Sequence, residues 1–267
     1  MPGLRLGQPY RPRRLGRDLR TGTAAPAQGP CRTAPPRRLN DLPHPSPSAG
    51  APPGAPARRG PAGPGPAPAP ADPSTLRSAL RHAGRRARRE LTGDERLRAE
   101  ERLQHHLLGL LADLPVGTVA LSVATDGEPD LSAIVGTLRE RGWRLVLPVV
   151  QAQGQMSFAL WEPGSALAPD RYGIPTPVGA TPVATDELDV VVVPCVAVDL
   201  EGNRLGFGAG YYDRALSGLR PDALTVAAVF SCQVAEAVPV DDWDVRLDAV
   251  VTDGGNLRSG AAGSGRA

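Results

Sequence analysis

The sequence has 267 residues, an apolar fraction of 41% and a formal net charge of +2, so it can hold one large or two small folded domains. Its basic side chains, apart from four histidines, are all arginines, which excludes a phosphate-binding loop that depends on a lysine and any Schiff-base lysine. Three cysteines without a CxxC pair argue against a disulfide framework and a zinc site, and no apolar run approaches the ~20 residues of a membrane span.

Residues 1–71 differ in composition from the rest of the chain. They are rich in proline, alanine, glycine and arginine, and their eleven arginines against two aspartates leave a net charge of −7 for the remaining residues. Such a segment has too little apolar surface to offset the entropy that ordering costs, so we expect a disordered arm. The acidic remainder argues against a broad nucleic-acid surface, although an arm that contacts RNA is an alternative hypothesis.

Helical signals begin at Asp72-Pro73. Aspartate favours the N-cap position and proline the first helical position, so we predict a helix over residues 75–90, made strongly basic by its six arginines. The segment Thr92-Gly93-Asp94-Glu95 has the form of a capping box and predicts the start of a second helix. Leucines recur near helical spacing in that helix, at positions 97, 103, 107, 110 and 111.

Strands and helices alternate in the remainder of the chain. The patterns predict helices over residues 130–141 and 210–219, and strands over residues 118–123, 144–149, 156–161, 190–198, 224–230 and 247–252. The nearly all-apolar segment 190–198 suits a strand buried on both faces. The alternation indicates an α/β fold, a three-layer domain over residues 72–254 with a central, largely parallel or mixed sheet flanked by helices. We expect residues 255–267 to form a flexible tail.

Residues 199–214 read D-L-E-G-N-R-L-G-F-G-A-G-Y-Y-D-R and lie between the buried strand and a helix. Glycines at alternate positions would let backbone amides approach a ligand closely, and these are Gly206, Gly208 and Gly210. The amide end of the next helix and the charges of Arg204 and Arg214 would attract a polyphosphate. The spacing by itself fits a tight turn equally well, because the dinucleotide fingerprint needs a glycine where Tyr211 stands. We call residues 204–212 the glycine loop.

The string N-R-L-G-x-G-x-G-Y-Y-D-R, at residues 203–214, resembles the signature of the 5-formyltetrahydrofolate cyclo-ligase family, also called methenyltetrahydrofolate synthetases. The resemblance extends over roughly residues 74–254. Its other motifs, in chain order, are Arg77-x-x-Leu80-Arg81, Gly127-Glu128-Pro129-Asp130, Leu147-Pro148, Met156-Ser157-Phe158, Tyr172-Gly173-Ile174-Pro175, Val193-Pro194 and the closing segment 247–252.

The resemblance implies an enzyme that uses ATP and Mg²⁺ to close 5-formyltetrahydrofolate to 5,10-methenyltetrahydrofolate, with release of ADP and phosphate. It implies catalytic roles for Arg204 and Tyr211. The implied folate contacts are Val123 and Glu128, and the implied magnesium ligands are Asp213 and Asp248. The implied ATP-binding residues are Arg77, Arg81, Arg204, Leu205, Gly206, Phe207, Gly208, Ala209, Gly210, Tyr211 and Tyr212.

Four positions depart from the family pattern. Arg77 replaces a lysine, which is not equivalent at a phosphate, and Thr176 replaces a frequent glutamate. Cys195 and Ala209 stand where glycines are usual. An alternative hypothesis is therefore a non-catalytic or divergent paralogue that binds a nucleotide or folate, and a third is an RNA-associated protein that uses its basic arm. The favoured interpretation is a cytoplasmic, monomeric enzyme whose partners are small molecules, without nucleic acid or membrane.

Overall fold

The computed structural model describes residues 72–151 and 154–258. The predicted disordered arm at residues 1–71 and most of the predicted tail lie outside the described residues. Four α-helices occur in the described part, and they are α1 (Pro73–Glu90), α2 (Gly93–Ala112), α3 (Val135–Glu140) and α4 (Tyr211–Leu216).

The helix starts test the predicted caps. Asp72 caps α1 as predicted, because its carboxylate accepts a hydrogen bond of 3.2 Å from the Thr75 amide, and Pro73 occupies the first helical position. Thr92 precedes α2, but its side chain makes no capping hydrogen bond, so the predicted capping box is wrong in this respect. The helices α3 and α4 are shorter than predicted, and a 3₁₀ turn at Ser132–Ile134 precedes α3.

The strands mostly fall inside the predicted segments. In chain order they are β1 (Thr118–Ala120), β2 (Arg144–Val150), β3 (Met156–Leu160), β4 (Leu167–Pro169), β5 (Pro175–Pro177), β6 (Pro182–Val183), β7 (Val190–Val193), β8 (Ala197–Val198), β9 (Arg204–Leu205), β10 (Leu224–Ala228), β11 (Ala249–Thr252) and β12 (Gly255–Arg258). The short strands β4, β5, β6, β9 and β12 have no counterpart in the sequence prediction.

One sheet of eight strands forms the centre of the domain, in the order β12-β11-β10-β7-β1-β2-β3-β6. Strands β11, β10, β7, β1 and β2 run parallel to one another. Antiparallel strands complete both edges, with β12 on one side and β3 and β6 on the other. The predicted α/β fold with a largely parallel or mixed sheet is therefore confirmed.

The predicted strand 190–198 is interrupted. Its first part, Val190–Val193, is buried throughout and pairs with β1 and β10, as a strand covered on both faces should. Pro194 follows and has no amide hydrogen for the ladder, so the main sheet is not continued. Its last part, β8, instead pairs with β9 in a separate two-stranded sheet, and β9 is the first two residues of the glycine loop.

Apolar clusters cover both faces of the main sheet. On one face, Leu103 and Leu107 of α2 and Leu138 of α3 pack with the strands. On the other face, Leu216 of α4 packs with strand residues such as Val193. A third, smaller cluster joins α1 to β8, β9 and the segment before residue 239, and its buried members are Leu80, Ala197, Leu205, Ala235 and Val238. This last cluster places α1 beside the glycine loop.

The C-terminal part of the described chain is ordered further than predicted. Gly255–Arg258 forms β12, which pairs antiparallel with β11, so the expectation of a flexible tail from residue 255 is wrong for these four residues. Within residues 72–151 and 154–258, no helix combines the length and apolar character that crossing a membrane requires.

Candidate active site

A cavity of about 700 Å³ opens at the carboxyl-terminal ends of the parallel strands. Ser122 and Val123, just after β1, and Pro194, just after β7, line it. Ligands of parallel α/β sheets usually bind at this edge, because the loops that leave the strands there can converge on one space. The cavity is therefore the candidate active site.

The cavity gathers nearly all of the predicted site residues. Every one of them except Asp248 lines it: Arg77, Arg81, Val123, Glu128, Arg204, Leu205, Gly206, Phe207, Gly208, Ala209, Gly210, Tyr211, Tyr212 and Asp213. These residues come from three separate segments of the chain, which are α1, the loop after β1 and residues 204–213. The fold thus brings the predicted ATP-binding and folate-binding residues onto one surface.

Asp248 lies away from this surface. It precedes β11, and its Oδ2 accepts hydrogen bonds from the amide of Thr225 (2.8 Å) and from the Thr225 hydroxyl (2.6 Å) near the start of β10. Parallel strands begin at one edge of a sheet and end at the other, so Asp248 is at the edge opposite the cavity. The structure does not bring Asp213 and Asp248 together, which corrects the predicted pair of magnesium ligands.

The backbone of the glycine loop needs two of its three alternating glycines. Gly208 has φ of 102° and Gly210 has φ of 66°, a region that side chains with a Cβ rarely adopt. A Cβ at Gly210 would also lie 2.9 Å from Nη1 of Arg214. Gly206 differs, because its φ is outside this region and no atom lies within 4 Å of a Cβ built there. Its missing side chain leaves open space at the cavity wall.

Arginines on one face of α1 hold the glycine loop. Nε of Arg81 donates a hydrogen bond of 3.0 Å to the Gly206 carbonyl. The guanidinium carbons of Arg85 and Arg88 lie 5.1 and 5.6 Å from the centre of the Phe207 ring, within cation–π distance. Burial and the neighbouring charge of Arg77 lower the pKa of Arg81. Arg81 therefore combines contact with the loop and a positive charge on the cavity wall.

Asp126 connects the loop after β1 to α1. Its carboxylate forms ion pairs with Arg85 (3.3 Å), Arg88 (2.9 Å) and Arg89, and its carbonyl accepts a bond of 2.8 Å from Arg88. Arg88 is fully buried, so this bonding compensates a charge that has lost its water. Burial opposes ionisation of Asp126, but the hydrogen bonds from Arg89 and Arg88 hold the pKa of Asp126 below its ordinary value.

Glu128 is a buried carboxyl group on the cavity wall, with 6% of its surface exposed. Its Oε2 accepts hydrogen bonds from the amide (3.0 Å) and the hydroxyl (3.3 Å) of Thr125. Burial raises the pKa of Glu128, and these hydrogen bonds only partly oppose that effect. The carboxyl group can therefore share a proton or a hydrogen bond with a ligand at a point shielded from water.

Two of the predicted phosphate-binding arginines already have carboxylate partners. Nη2 of Arg204 lies 2.6 Å from Oδ1 of Asp213, and Arg204 also donates to the Val245 carbonyl. Arg77 forms ion pairs with Asp241 and with Asp244, the latter at 3.3 Å. Carboxylates of the protein thus neutralise much of the charge of both guanidinium groups.

A model of the 5-formyltetrahydrofolate cyclo-ligase family matches residues 73–253, which is most of the described part. The chain belongs to this family. The resemblance predicted from the sequence motifs is confirmed.

Two curated members of the cyclo-ligase family match along almost their full length. The 5-formyltetrahydrofolate cyclo-ligase of Haemophilus influenzae is 30% identical over 176 residues, covering 64% of this chain and 94% of the relative. That of Escherichia coli strain K12 is 33% identical over 175 residues, covering 63% and 95%. The solved structure of 5,10-methenyltetrahydrofolate synthetase from Aquifex aeolicus is 34% identical, with a TM-score of 0.60, and the match covers 72% of this chain and 95% of that one.

Cys195 and Arg77 are two positions at which this member of the cyclo-ligase family departs from the family pattern. Cys195, where a glycine is usual, is buried, and burial raises the pKa of its thiol to about 12, so it has no nucleophilic role. Arg77 lines the cavity but is bonded to Asp241 and Asp244. Neither carboxylate was found by sequence reasoning, because the motifs that carry the resemblance do not include them.

Further cavity residues have no predicted role. They are Ser122, Thr125, Asp126, Pro148, Val150, Met156, Asp170, Tyr172, Ile174, Pro194, Asp241, Trp243 and Asp244. Tyr172 belongs to a motif of the cyclo-ligase family, which could have indicated it. Nothing in the sequence singles out Asp126, because Asp126, Glu128 and Asp130 all follow the predicted strand and any of them could face the arginine-rich helix.

Proposed function

We propose that the chain is an ATP- and magnesium-dependent 5-formyltetrahydrofolate cyclo-ligase that forms 5,10-methenyltetrahydrofolate, ADP and phosphate. One observation carries the proposal. In a domain of this family, a single cavity is lined by the glycine loop, by Arg77 and Arg81 of α1, and by Val123 and Glu128. A cavity of about 700 Å³ falls in the range of small-molecule sites.

The reaction proceeds in two steps. The formyl oxygen of the folate attacks the γ-phosphorus of ATP, ADP leaves, and an imidate phosphate forms. N10 then attacks the activated formyl carbon, the ring closes, the N10 proton is lost, and the former formyl oxygen leaves with the phosphate. Neither step needs a covalent nucleophile on the protein.

The residues of the cavity supply positioning and charge neutralisation, which are the main demands of phosphoryl transfer. Backbone amides of the glycine loop and the guanidinium of Arg81 bind the phosphates. Because α4 has only six residues, its dipole adds little, and the loop amides carry this part. We assign Arg204 and Tyr211 to the point where the γ-phosphate and the formyl group meet, since both line the cavity, and Arg204 is held against Asp213.

A single carboxylate suits the magnesium ion of this reaction. Among residues 72–151 and 154–258, no group of three or more His, Cys, Asp or Glu side chains is arranged to hold a metal, so a preformed protein site does not fit. Magnesium commonly binds one or two carboxylates and completes its shell with substrate phosphates and water. Asp213 lines the cavity and fits that role. When bound, the metal neutralises phosphate charge, while Arg204 keeps the Asp213 carboxylate in place.

Val123 and Glu128 form the folate side of the cavity. Val123 offers apolar contact, and Glu128, buried and bonded to Thr125, offers the reacting end of the folate one polar partner. Burial makes a poorly matched ligand group costly beside this carboxyl, so Glu128 favours a ligand with a complementary hydrogen-bonding group at that point.

The experiment is a spectrophotometric assay for the methenyl product with purified full-length protein, 5-formyltetrahydrofolate, ATP and Mg²⁺. We expect product that depends on both ATP and Mg²⁺, and a loss of most activity in Asp213→Asn. Val178→Ala, a change at an exposed residue that does not line the cavity, is the matched control. A folded protein that binds ATP but forms no product would contradict the proposal and favour a non-catalytic paralogue.

A further inference from the structure

Trp243 is unusual among the tryptophans of this chain. It is 72% exposed, the largest exposed fraction among the large apolar side chains of the described residues, whereas Trp143 and Trp161 are buried at 4% and 8%. Trp243 also lines the cavity, together with the glycine loop and with Arg77 and Arg81 of α1. An exposed indole at the wall of a ligand cavity provides a flat apolar surface that a ligand can cover.

The turn that carries Trp243 is fixed before any ligand binds. The amide of Asp241 donates to Oδ2 of Asp244 (2.8 Å), and the amide of Asp244 donates to the Asp241 carbonyl (3.0 Å). Arg77 of α1 holds the same turn through both carboxylates and through the Pro239 carbonyl at 3.3 Å. The backbone of a turn held in this way loses little conformational freedom on binding, which favours affinity.

Charge decides which part of a nucleotide can lie beside this turn. Asp241 and Asp244 lie on either side of Trp243 in the chain, and their negative charge repels phosphate. Both carboxylates also form ion pairs with Arg77, so they largely neutralise its positive charge. The phosphates are therefore directed to the glycine loop and Arg81. Carboxylate oxygens accept hydrogen bonds, so the turn suits an uncharged aromatic ring that carries an amino group.

We propose that Trp243 stacks on the base of the nucleotide and that Arg77 is the positioning residue of the Trp243 turn rather than a ligand of the phosphates. The exocyclic amino group of the adenine ring faces the carboxylates of Asp241 and Asp244. This inference rests on the proposed function, since it takes ATP as the nucleotide. It also gives a reason for the arginine at position 77. The planar guanidinium group of arginine can bond two carboxylates at once, which the ammonium group of lysine does less well.

Binding measurements separate the base from the phosphates. Isothermal titration of the full-length protein with ADP and, separately, with inorganic tripolyphosphate would be made for the wild type, Trp243→Ala and Trp243→Phe. We expect Trp243→Ala to raise the Kd for ADP about tenfold, the effect of losing one base–aromatic stack, and Trp243→Phe to restore most of the affinity. The Kd for tripolyphosphate should not change in either variant.

The control variant is Val240→Ala, which alters an exposed side chain of the same segment that does not line the cavity. It should leave both dissociation constants unchanged. An unchanged Kd for ADP in Trp243→Ala would overturn the inference, and so would an equal loss of affinity for ADP and tripolyphosphate. If the wild type fails to bind ADP at all, the ATP part of the proposed function fails as well, which is a different outcome.

Arg77 is tested in the same titrations. As a positioning residue, Arg77→Ala should weaken ADP binding to a similar degree as Trp243→Ala, leave tripolyphosphate binding unchanged, and add little in the double variant Arg77→Ala/Trp243→Ala. Arg77→Lys should recover only part of the ADP affinity. A selective loss of tripolyphosphate affinity in Arg77→Ala would show a direct phosphate contact and overturn this assignment.

Discussion

The hydroxyl groups of Tyr172 and Tyr211 lie 2.6 Å apart. This contact joins the turn between β4 and β5 to the first residue of α4, and both tyrosines line the cavity. Arg171 contacts the Tyr211 hydroxyl and lies 5.0 Å from the centre of the Tyr172 ring. A segment far from the glycine loop in sequence thus fixes the orientation of the predicted catalytic tyrosine.

The first prediction concerns the titration of Tyr211. A hydrogen bond from Tyr172, and then the bond and charge of Arg171, lower the pKa of Tyr211. Tyr172→Phe removes the first of these, so the pKa of Tyr211 should rise. Ultraviolet difference titration at alkaline pH would measure it, with Tyr211→Phe identifying the signal. An unchanged titration in Tyr172→Phe would mean that the contact does not persist in solution.

The second prediction separates the two aspartates that the sequence suggested as metal ligands. Asp248→Asn weakens the bonds to the amide and hydroxyl of Thr225, so it should lower the free energy of unfolding by about 1–3 kcal/mol and leave kcat nearly unchanged. Asp213→Asn should lower kcat at least about tenfold and weaken the dependence on Mg²⁺. Denaturant unfolding and a magnesium titration of the rate would measure both. A large loss of kcat in Asp248→Asn would restore it as a site residue.

The third prediction concerns the glycines of the glycine loop. A methyl group at Gly206 meets no atom within 4 Å, so Gly206→Ala should change the free energy of unfolding by less than about 0.5 kcal/mol. The methyl group would instead occupy space beside the cavity, and the Kd for ADP should rise. Gly210→Ala forces alanine into a left-handed conformation and should cost about 1 kcal/mol of stability. Equal stability losses in the two variants would contradict this distinction.

The fourth prediction concerns the pH dependence of stability. Because Arg89 and Arg88 lower the pKa of Asp126 despite its burial, the folded state favours the ionised carboxylate. Its contribution is therefore present above the unfolded pKa, about 3.9, and is lost as the pH falls further through the lowered folded value. Asp126→Asn should lower the free energy of unfolding at neutral pH by about 2 kcal/mol and flatten its fall below about pH 4. Thermal unfolding between pH 3 and 7 would measure this, with Asp94→Asn, an exposed aspartate, as the control.

Local signals predicted much of the fold. Asp72 and Pro73 were enough to place the start of α1, because capping depends on residues within one turn. The valines of β7 indicated a strand buried on both faces, since burial leaves few alternatives to an apolar side chain. The glycine loop was also recognisable, because φ above 0° at Gly208 and Gly210 limits the residue type. In each case the constraint acts between neighbours in the chain.

Contacts between distant segments were decided only by the tertiary structure. Asp213 and Asp248 are equally suitable as carboxylates, but the direction of β10 and β11 puts Asp248 at the edge of the sheet opposite the cavity, whereas Asp213, in the first turn of α4, lines the cavity. Arg77 was expected at the phosphates, yet the path of the chain brings Asp241 and Asp244 to it. A sequence records which side chains are charged, but the packing of α1 against residues more than 160 positions away determines which groups the charged side chains pair with.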